Sequence, residues 1–347
     1  MYLIINPGSS SLKYKLFDKE LKEVKSKSFS HIPGKIRSHE AAVDLIMKEI
    51  FAEKNQIIKI AFRVVHGGDK VLEIEPVTLP LIKTIESFSQ FAPSHNPQAL
   101  RVIRKVLNII PIAEHFVAFD NAFFVDLPEV SKIYPIDFRL SEELEIRRYG
   151  FHGISHQFMM EEVDPLKEKK IITIHLGAGC SISAINCGKP IDTSMGFTPL
   201  EGLVMQTRSG DLDPGLVLFL VEKLGLRQAK ELIENNSGLA GLTDSSGDML
   251  SILKNAGEEI TGEISYQLEK IHPDLAKQAI EIFCQKVKKY IGAYVAELGG
   301  VDEVIFSGEI GFGSEVIRKK ITSGLSFLDF KIKTIKPDEE LAIAKKL

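Results

Sequence analysis

The chain has 347 residues, 44% hydrophobic and 26% charged, with a formal net charge of -4. That length exceeds one ordinary core and predicts two domains, while the mixed, mildly acidic charge argues against a nucleic-acid binder or a membrane-surface protein. No run of 18 apolar residues reads as a membrane span, the apolar run at 2–5 is too short for a secretion signal, and Cys180, Cys187 and Cys284 lack CxxC spacing, which fits reduced thiols in a cytoplasmic protein.

In chain order, Tyr2 to Ile5 has the pattern of a buried strand and is broken by Pro7-Gly8-Ser9-Ser10-Ser11. Leu12 to Phe17 then alternates apolar residues with Lys13 and Lys15, giving strand, polar turn, strand. The plan returns half a chain later: Ile171 to Leu176 is β-rich, Gly177-Ala178-Gly179-Cys180 turns, Ser181 to Ile185 alternates, and Asn186-Cys187-Gly188 turns again. Two hairpins of one design predict an internal duplication, each opening one lobe. A helix is predicted over 276–298 from the 3.6-residue spacing of Ala279, Phe283, Val287, Ile291, Tyr294 and Leu298, ended by Gly299-Gly300. Glu303 to Phe306 reads as a strand entering a third glycine-rich turn, Ser307 to Gly313, and a short helix begins at 341–344. The lobes are expected to join near residues 145–150.

The turns at 6–11, 177–181 and 307–314 follow buried strands, and their backbone N–H groups can cradle phosphate oxygens; as single features they are equally hairpin turns. No third glycine completes a GxGxxG after Gly177-x-Gly179 and no GxxxxGK[ST] exists, so neither a Rossmann site nor a P-loop is expected. A phosphate loop within a β-hairpin is the plan of actin-like and sugar-kinase ATPases. Arg63, at the edge of an apolar strand before His66-Gly67-Gly68, suits bidentate pairing with a carboxylate or phosphate, or an ordinary surface salt bridge. Ser94-His95-Asn96-Pro97 is a polar cluster in a turn. Asp120 lies among aromatics in Phe119-Asp120-Asn121-Ala122-Phe123-Phe124 and must find partners or shift its pKa, unless it is a helix N-cap. His152 and His156 have i, i+4 spacing, but Gly153 stands where HExxH would have Glu, so zinc is not expected. The stretch from Asp192 to Gly215 has no clean period and is long, polar and glycine-rich, as functional loops are; Arg208 within it suits a charge-stabilising role in phosphoryl transfer.

On these residues the chain resembles the acetate kinases. Asn6-Pro7-Gly8-Ser9-Ser10-Ser11-Leu12-Lys13 is similar to the family's opening signature and Asp192 to Pro214 to its second, with Arg63, His95, Asp120, His152, His175 and Glu339 in the family's order. The resemblance implies a duplicated, actin-like (ribonuclease H-like) α/β fold with two lobes and a central cleft. It places residues 1–147 and 338–347 in the N-terminal lobe and 148–337 in the C-terminal lobe, with the nucleotide side and a homodimer interface. It implies reversible, direct in-line transfer between ATP and acetate, or another short-chain carboxylate, giving acyl phosphate and ADP, with Mg²⁺ (or Mn²⁺) held by Asn6 and Glu339. Arg63 and Arg208 would clamp carboxylate and phosphoryl group, Asp120 would orient the reacting groups and His152 would donate to phosphoryl oxygens. His95 would be a further polar contact, and Val65, Phe151 and Pro199 would hold the acyl methyl. The nucleotide would lie on Lys13, His175-Leu176-Gly177-Ala178-Gly179, Asp248-Met249-Leu250 and Glu309-Ile310-Gly311-Phe312-Gly313.

The chain departs from the family on this last side. Ala178 replaces an Asn, Leu250 an Arg, and Glu309 a glycine beside the nucleoside; Phe62, Phe124 and Ser94 replace other residues near the site. Two alternatives therefore stand beside ATP: pyrophosphate as donor, and a non-catalytic binding or regulatory relative.

Overall fold

The computed structural model describes residues 1–260, 264 and 266–347. It divides into two compact units, Met1–Val125 with Phe151–Phe158 and Asp338–Leu347, and Asp126–Gly150 with Met159–Pro337. The resemblance implied boundaries at 147/148 and 337/338; the first differs, and local hydrogen bonds explain the difference. Residues 126–150 are tied into the second unit, through Ser131 Oγ to the Ile191 carbonyl (2.7 Å) and Arg148 to the Thr193 carbonyl (2.8 Å). Phe151–Phe158 belongs to the first: the Gly153 N–H donates to the Asp120 carbonyl (2.7 Å), and Gln157 to Glu73 (2.6 Å).

The first unit is built on a six-stranded sheet of β1 (Tyr2–Pro7), β2 (Ser11–Phe17), β3 (Glu23–Ser30), β4 (Lys59–Val64), β5 (Ile74–Pro76) and β6 (Glu114–Phe119), in the order β3-β2-β1-β4-β6-β5. The second carries β7 (Lys170–Leu176), β8 (Cys180–Asn186), β9 (Lys189–Thr193), β10 (Glu303–Ser307) and β11 (Lys331–Thr334), in the order β9-β8-β7-β10-β11. Both begin with an antiparallel hairpin, β1–β2 and β7–β8, extended antiparallel by β3 and β9. On the other side of the first strand, β4 then β6, and β10 then β11, add in parallel. The duplication expected from the hairpins thus extends over five strands of each sheet.

The central strands β1 and β7 are nearly continuous apolar runs because they are covered on both faces. β3, mostly exposed and rich in Lys, Glu and Ser, is the charged edge that discourages pairing with other chains. The first core packs the helices His39–Glu49 and Asn96–Ile109 on the sheet through Ala42, Val43, Ile46, Val102, Ile103 and Val106. In the second unit the expected helix runs Pro273–Leu298, capped by Gly299 in the left-handed region (φ +62°).

One expected element changes. The segment read as a third glycine-rich turn is the helix Gly308–Gly313. Gly308 makes the corner at φ +81°, where a Cβ would lie 2.3 Å from the Leu176 carbonyl oxygen, and the following residues coil at once. Among the described residues no helix is long and apolar enough to cross a membrane.

Candidate active site

In the first unit, parallel register sets Ile5 beside Phe62 and Val64 beside Phe119. Asn6, Arg63 and Asp120 therefore stand at the carboxyl ends of three adjacent parallel strands, where open α/β sheets bind ligands. Arg63 donates through Nε to Asp120 Oδ1 (3.0 Å) and through Nη2 to Asp120 Oδ2, a two-point pair, and through Nη1 to Asn6 Oδ1 (3.1 Å). The Asn6 amide nitrogen donates to Glu339 Oε2 (3.1 Å) and Glu340 Oε1 (2.8 Å), on the first turn of the helix Glu339–Ala344. Glu339 also lies 3.6 Å from Arg63 Nη1.

Asp120 is 1% exposed and is not a helix cap; Asn121 precedes the short 3₁₀ turn Ala122–Phe124. Burial pushes the Asp120 carboxyl up from the usual carboxylate range, the Arg63 guanidinium pulls it back, and Glu339 adds to the rise. Burial also works against the Arg63 charge, but Asp120 and Glu339 prevail and hold its pKa above the usual range. Burial, then the neighbouring Glu339, raise the Glu340 carboxyl, opposed by the Asn6 amide and Lys13. Three carboxylates thus face one guanidinium, a surplus of hard, negative oxygen that suits a divalent cation. Among the described residues no set of three His, Cys, Asp or Glu forms a ready-made cage. Mg²⁺ does not require one, since it usually takes one or two carboxylates and completes its shell with water and substrate phosphate.

The rest of the first unit frames this cluster. The loop after β4 is pinned by two asparagines: Asn96 bonds His66 N–H (3.2 Å) and carbonyl (2.8 Å), and Asn121 accepts from Gly67 N–H (3.1 Å) and donates to the Gly68 carbonyl. Neither asparagine was assigned a role from sequence; each lies one residue after an expected site residue, His95 and Asp120. Val65 and Phe151 are buried, Phe151 edge-on to the His66 ring at 5.5 Å, and His95 is half-buried at the start of the helix Asn96–Ile109. His152 takes φ +59°, a conformation uncommon outside glycine, just before Gly153, whose Cβ would lie 2.3 Å from the Asp120 carbonyl oxygen. Lys13 extends exposed from β2.

In the second unit the long segment after β9 is irregular but well tied. Arg148 donates to the Ser131 and Thr193 carbonyls (3.1 and 2.8 Å) and to Glu201 Oε1 (2.8 Å), and lies 3.7 Å from Asp192 Oδ1. Glu201 also accepts from the Tyr134 hydroxyl, which in turn accepts from Phe197 N–H (2.9 Å). Asp211 accepts from Gly202 N–H (2.7 Å) and the Tyr290 hydroxyl (2.7 Å). Sequence alone gave no role to Arg148, Glu201 or Tyr134, whose pairing spans up to 67 residues. Arg208 differs from the other two arginines: it donates to the Pro199 carbonyl (2.8 Å), and among the described residues no carboxylate is bonded to it. Burial lowers its pKa, the direction expected for a cation without a close counter-charge.

The turn after β7 and the helix Gly308–Gly313 open onto a cavity of about 260 Å³. It is lined by Gly177 and Ala178 on one strand end, by Asp248, Met249 and Leu250, and by Glu309, Ile310 and Gly313, with Gln206, Leu253, Tyr266 and Ser314. Most of the expected nucleotide residues thus come together. His175, Leu176, Gly179, Gly311 and Phe312 do not line it: Leu176 is wholly buried beneath Gly308 and Gly311, and the Gly179 carbonyl accepts from Gly177 N–H (3.0 Å). Glu309 stands exposed at the cavity wall and leaves the space open. Asp248 caps the helix Met249–Ala256 through Ser251 N–H.

Two copies of one sheet topology, with charge at the strand ends of one and glycine turns at those of the other, define an actin-like phosphotransferase. The Acetokinase family profile matches residues 24–343, and the chain belongs to that family. It is 38% identical to the acetate kinase of Halothermothrix orenii, over 95% of this chain and 88% of that one, and 36% identical to that of Thermotoga maritima, over 98% and 89%. The crystal structure of Porphyromonas gingivalis acetate kinase superposes with a TM-score of 0.86 at 30% identity, covering 99% of this chain and 98% of that one. A propionate kinase structure from Francisella tularensis superposes with a TM-score of 0.87 at 29% identity, with the same coverage.

Proposed function

We propose that the protein is an ATP-dependent acetate kinase, catalysing ATP + acetate ⇌ ADP + acetyl phosphate, with other short-chain carboxylates as further acceptors. A carboxylate oxygen attacks the γ-phosphorus in line as the bond to the ADP oxygen breaks, so positioning and charge stabilisation carry the catalysis. Arg63 holds the acceptor carboxylate: three of its five N–H donors are used by Asp120 and Asn6, which leaves two for a ligand. Asp120 fixes that guanidinium. Arg208, with donors to spare, stabilises the transferring phosphoryl group, and His152 donates to the same oxygens. Val65, Phe151 and Pro199 receive the methyl group, with His95 as a polar neighbour. Glu339 is the charged oxygen for Mg²⁺ and Asn6 sets its orientation; the ion, when bound, offsets charge on the donor phosphates.

The observation that carries the choice of ATP is the cavity at Gly177 and Glu309. Among the described residues its lining contains no lysine or arginine, and it sets Met249, Leu250, Leu253 and Ile310 beside the carboxylates of Asp248 and Glu309. Pyrophosphate needs cations and no such space; a nucleoside needs an apolar wall and acceptors for its hydroxyls. The retained Arg63, Asp120 and Arg208 speak against a purely binding role.

The test is to supply acetyl phosphate and Mg²⁺ with either ADP or orthophosphate. ATP formation with ADP is expected; pyrophosphate formation with orthophosphate alone, or no turnover with acetyl, propionyl or butyryl phosphate, would overturn the assignment. We further propose a homodimer formed through the second unit, whose helix Pro214–Leu224 has no buried residue although it presents Leu216, Leu218, Phe219 and Leu224. Leu218→Asp should shift the protein to monomer in light scattering; an unchanged mass for a wild-type dimer would remove that helix from the interface. The use of ATP and the free thiols of Cys180, Cys187 and Cys284 both fit a cytoplasmic setting.

A further inference from the structure

Tyr266 is the one aromatic side chain among the described residues that line the cavity at Gly177 and Glu309. It is 51% exposed, yet it is held at its tip: the hydroxyl donates to Asp248 Oδ1 (3.0 Å). Burial and the Asp248 carboxylate push its pKa up to about 12, so it remains a donor at neutral pH. Asp248 is itself fixed, its other oxygen accepting from Ser251 N–H (2.9 Å) and Oγ (2.7 Å).

The backbone that follows Tyr266 is fastened to the same helix. Ser251 Oγ accepts from Glu269 N–H (3.1 Å), Asn255 donates to the Glu269 carbonyl (2.8 Å), and Asn255 Oδ1 accepts from Ile271 N–H (3.1 Å). Asp248, Ser251 and Asn255 are three and four residues apart, so they form one face of the helix Met249–Ala256. The Glu269 carboxylate closes the arrangement on Ser246 N–H (3.0 Å). Together they hold an exposed ring at a cavity whose lining also includes the apolar Met249, Leu250, Leu253 and Ile310. A ring ordered by folding loses little freedom when a ligand arrives, and its flat face accepts any aromatic base.

We infer that Tyr266 is the stacking platform for the base of the donor nucleotide, with Asp248 as the residue that positions it. The inference rests on the nucleotide reading of the cavity. Leu250, where the family has an arginine, leaves the base without a cationic partner, and Tyr266 takes that part here.

The test compares Tyr266→Ala, Tyr266→Phe and Tyr266→Trp with wild type in the acetyl phosphate and ADP assay. Tyr266→Ala should raise the KM for ADP by about 10- to 100-fold, the span of base–aromatic stacking, with the KM for acetyl phosphate changed less than about two-fold. Tyr266→Phe, which keeps the ring and loses the tether, should fall between. The sequence contains no tryptophan, so Tyr266→Trp supplies a single reporter whose fluorescence should be quenched saturably by ADP and by adenosine but not by pyrophosphate. An unchanged ADP KM in Tyr266→Ala, or equal rises in both KM values, would overturn the platform while leaving ATP as donor. Wild-type turnover with orthophosphate alone and no quenching by ADP would overturn the nucleotide reading and this inference together. If no variant turns over, the fluorescence titration decides alone: quenching supports the platform, and its absence removes it.

Discussion

The carboxyl ends of β1, β4 and β6 and those of β7 and β10 occupy equivalent places in one repeated topology, yet they are filled in opposite ways. The first set carries Asn6, Arg63 and Asp120, joined to one another and to Glu339 by hydrogen bonds of 3.0–3.1 Å. The second carries Gly177, which opens onto the cavity, and Gly308, which turns tightly against the Leu176 backbone. A duplicated fold has thus divided the work, with buried charge in one copy and room for a ligand in the other. Substitutions should separate the two: in the first copy they should disturb folding and catalysis together, in the second function with little cost to folding.

The largest effect is expected for Arg63→Ala. It strands the buried Asp120 carboxylate, and breaking a buried pair costs about 3–5 kcal/mol. The denaturant midpoint should drop sharply and acetyl phosphate turnover should vanish. Adding Asp120→Ala should restore much of the stability and none of the turnover; if the double variant is no more stable than Arg63→Ala, the pair is not what holds this end of the sheet.

Arg208→Ala should come next. Its guanidinium donates to one backbone carbonyl, so the fold should lose little, while kcat should fall about 10²–10³-fold, as for a key electrostatic donor. A large loss of thermal stability with kcat unchanged would reverse the contrast with Arg63.

A smaller effect concerns pH. Stacked on Phe88 at 5.0 Å and accepting from Gly68 N–H (3.1 Å), the His66 imidazole is pushed down to about 3 by burial. The unfolded chain binds this proton near pH 6.5. Between about 6.5 and 3 the unfolded state holds a proton that the folded state lacks, so stability is complete above about 6.5 and is lost as pH falls. The slope from this group approaches ~1.4 kcal/mol per pH unit. Melting temperatures from pH 7 to 5 should fall less steeply for His66→Phe; matching slopes would exclude His66 as the cause.

Gly177→Ala is the mildest change. An added Cβ would meet nothing closer than 3.6 Å, so stability should hold. The methyl group would stand at the cavity wall, and the KM for ADP should rise several-fold, at ~1 kcal/mol or somewhat more. A folded variant with wild-type KM would show that the glycine is not there for the nucleotide.

Local patterns made much of this legible. Both hairpins, the helix ended by Gly299 and the irregular stretch from Asp192 to Gly215 follow from periodicity and turn residues. The edge strand β3 escaped notice because its Lys, Glu and Ser residues carry no apolar alternation. The helix Gly308–Gly313 was hidden by glycines that read as a turn, although Gly308 alone makes the corner. Partners distant in sequence were harder still: no local pattern joins Asn6 to Glu340, Arg148 to Glu201, or Tyr266 to Asp248. Resemblance to a family supplied the roles of single residues, but not the asparagines that pin the loop after Arg63.

The placement of residues 338–347 bears on how the protein is made. They belong to the first unit, yet they are synthesised after all of the second. Asn6 waits 333 positions for Glu339. The second unit can therefore mature while the first still lacks its closing helix, and the acidic cluster becomes whole only after the second unit has been made. A nascent chain would hold the cavity at Gly177 before it holds the complete acidic cluster around Asn6.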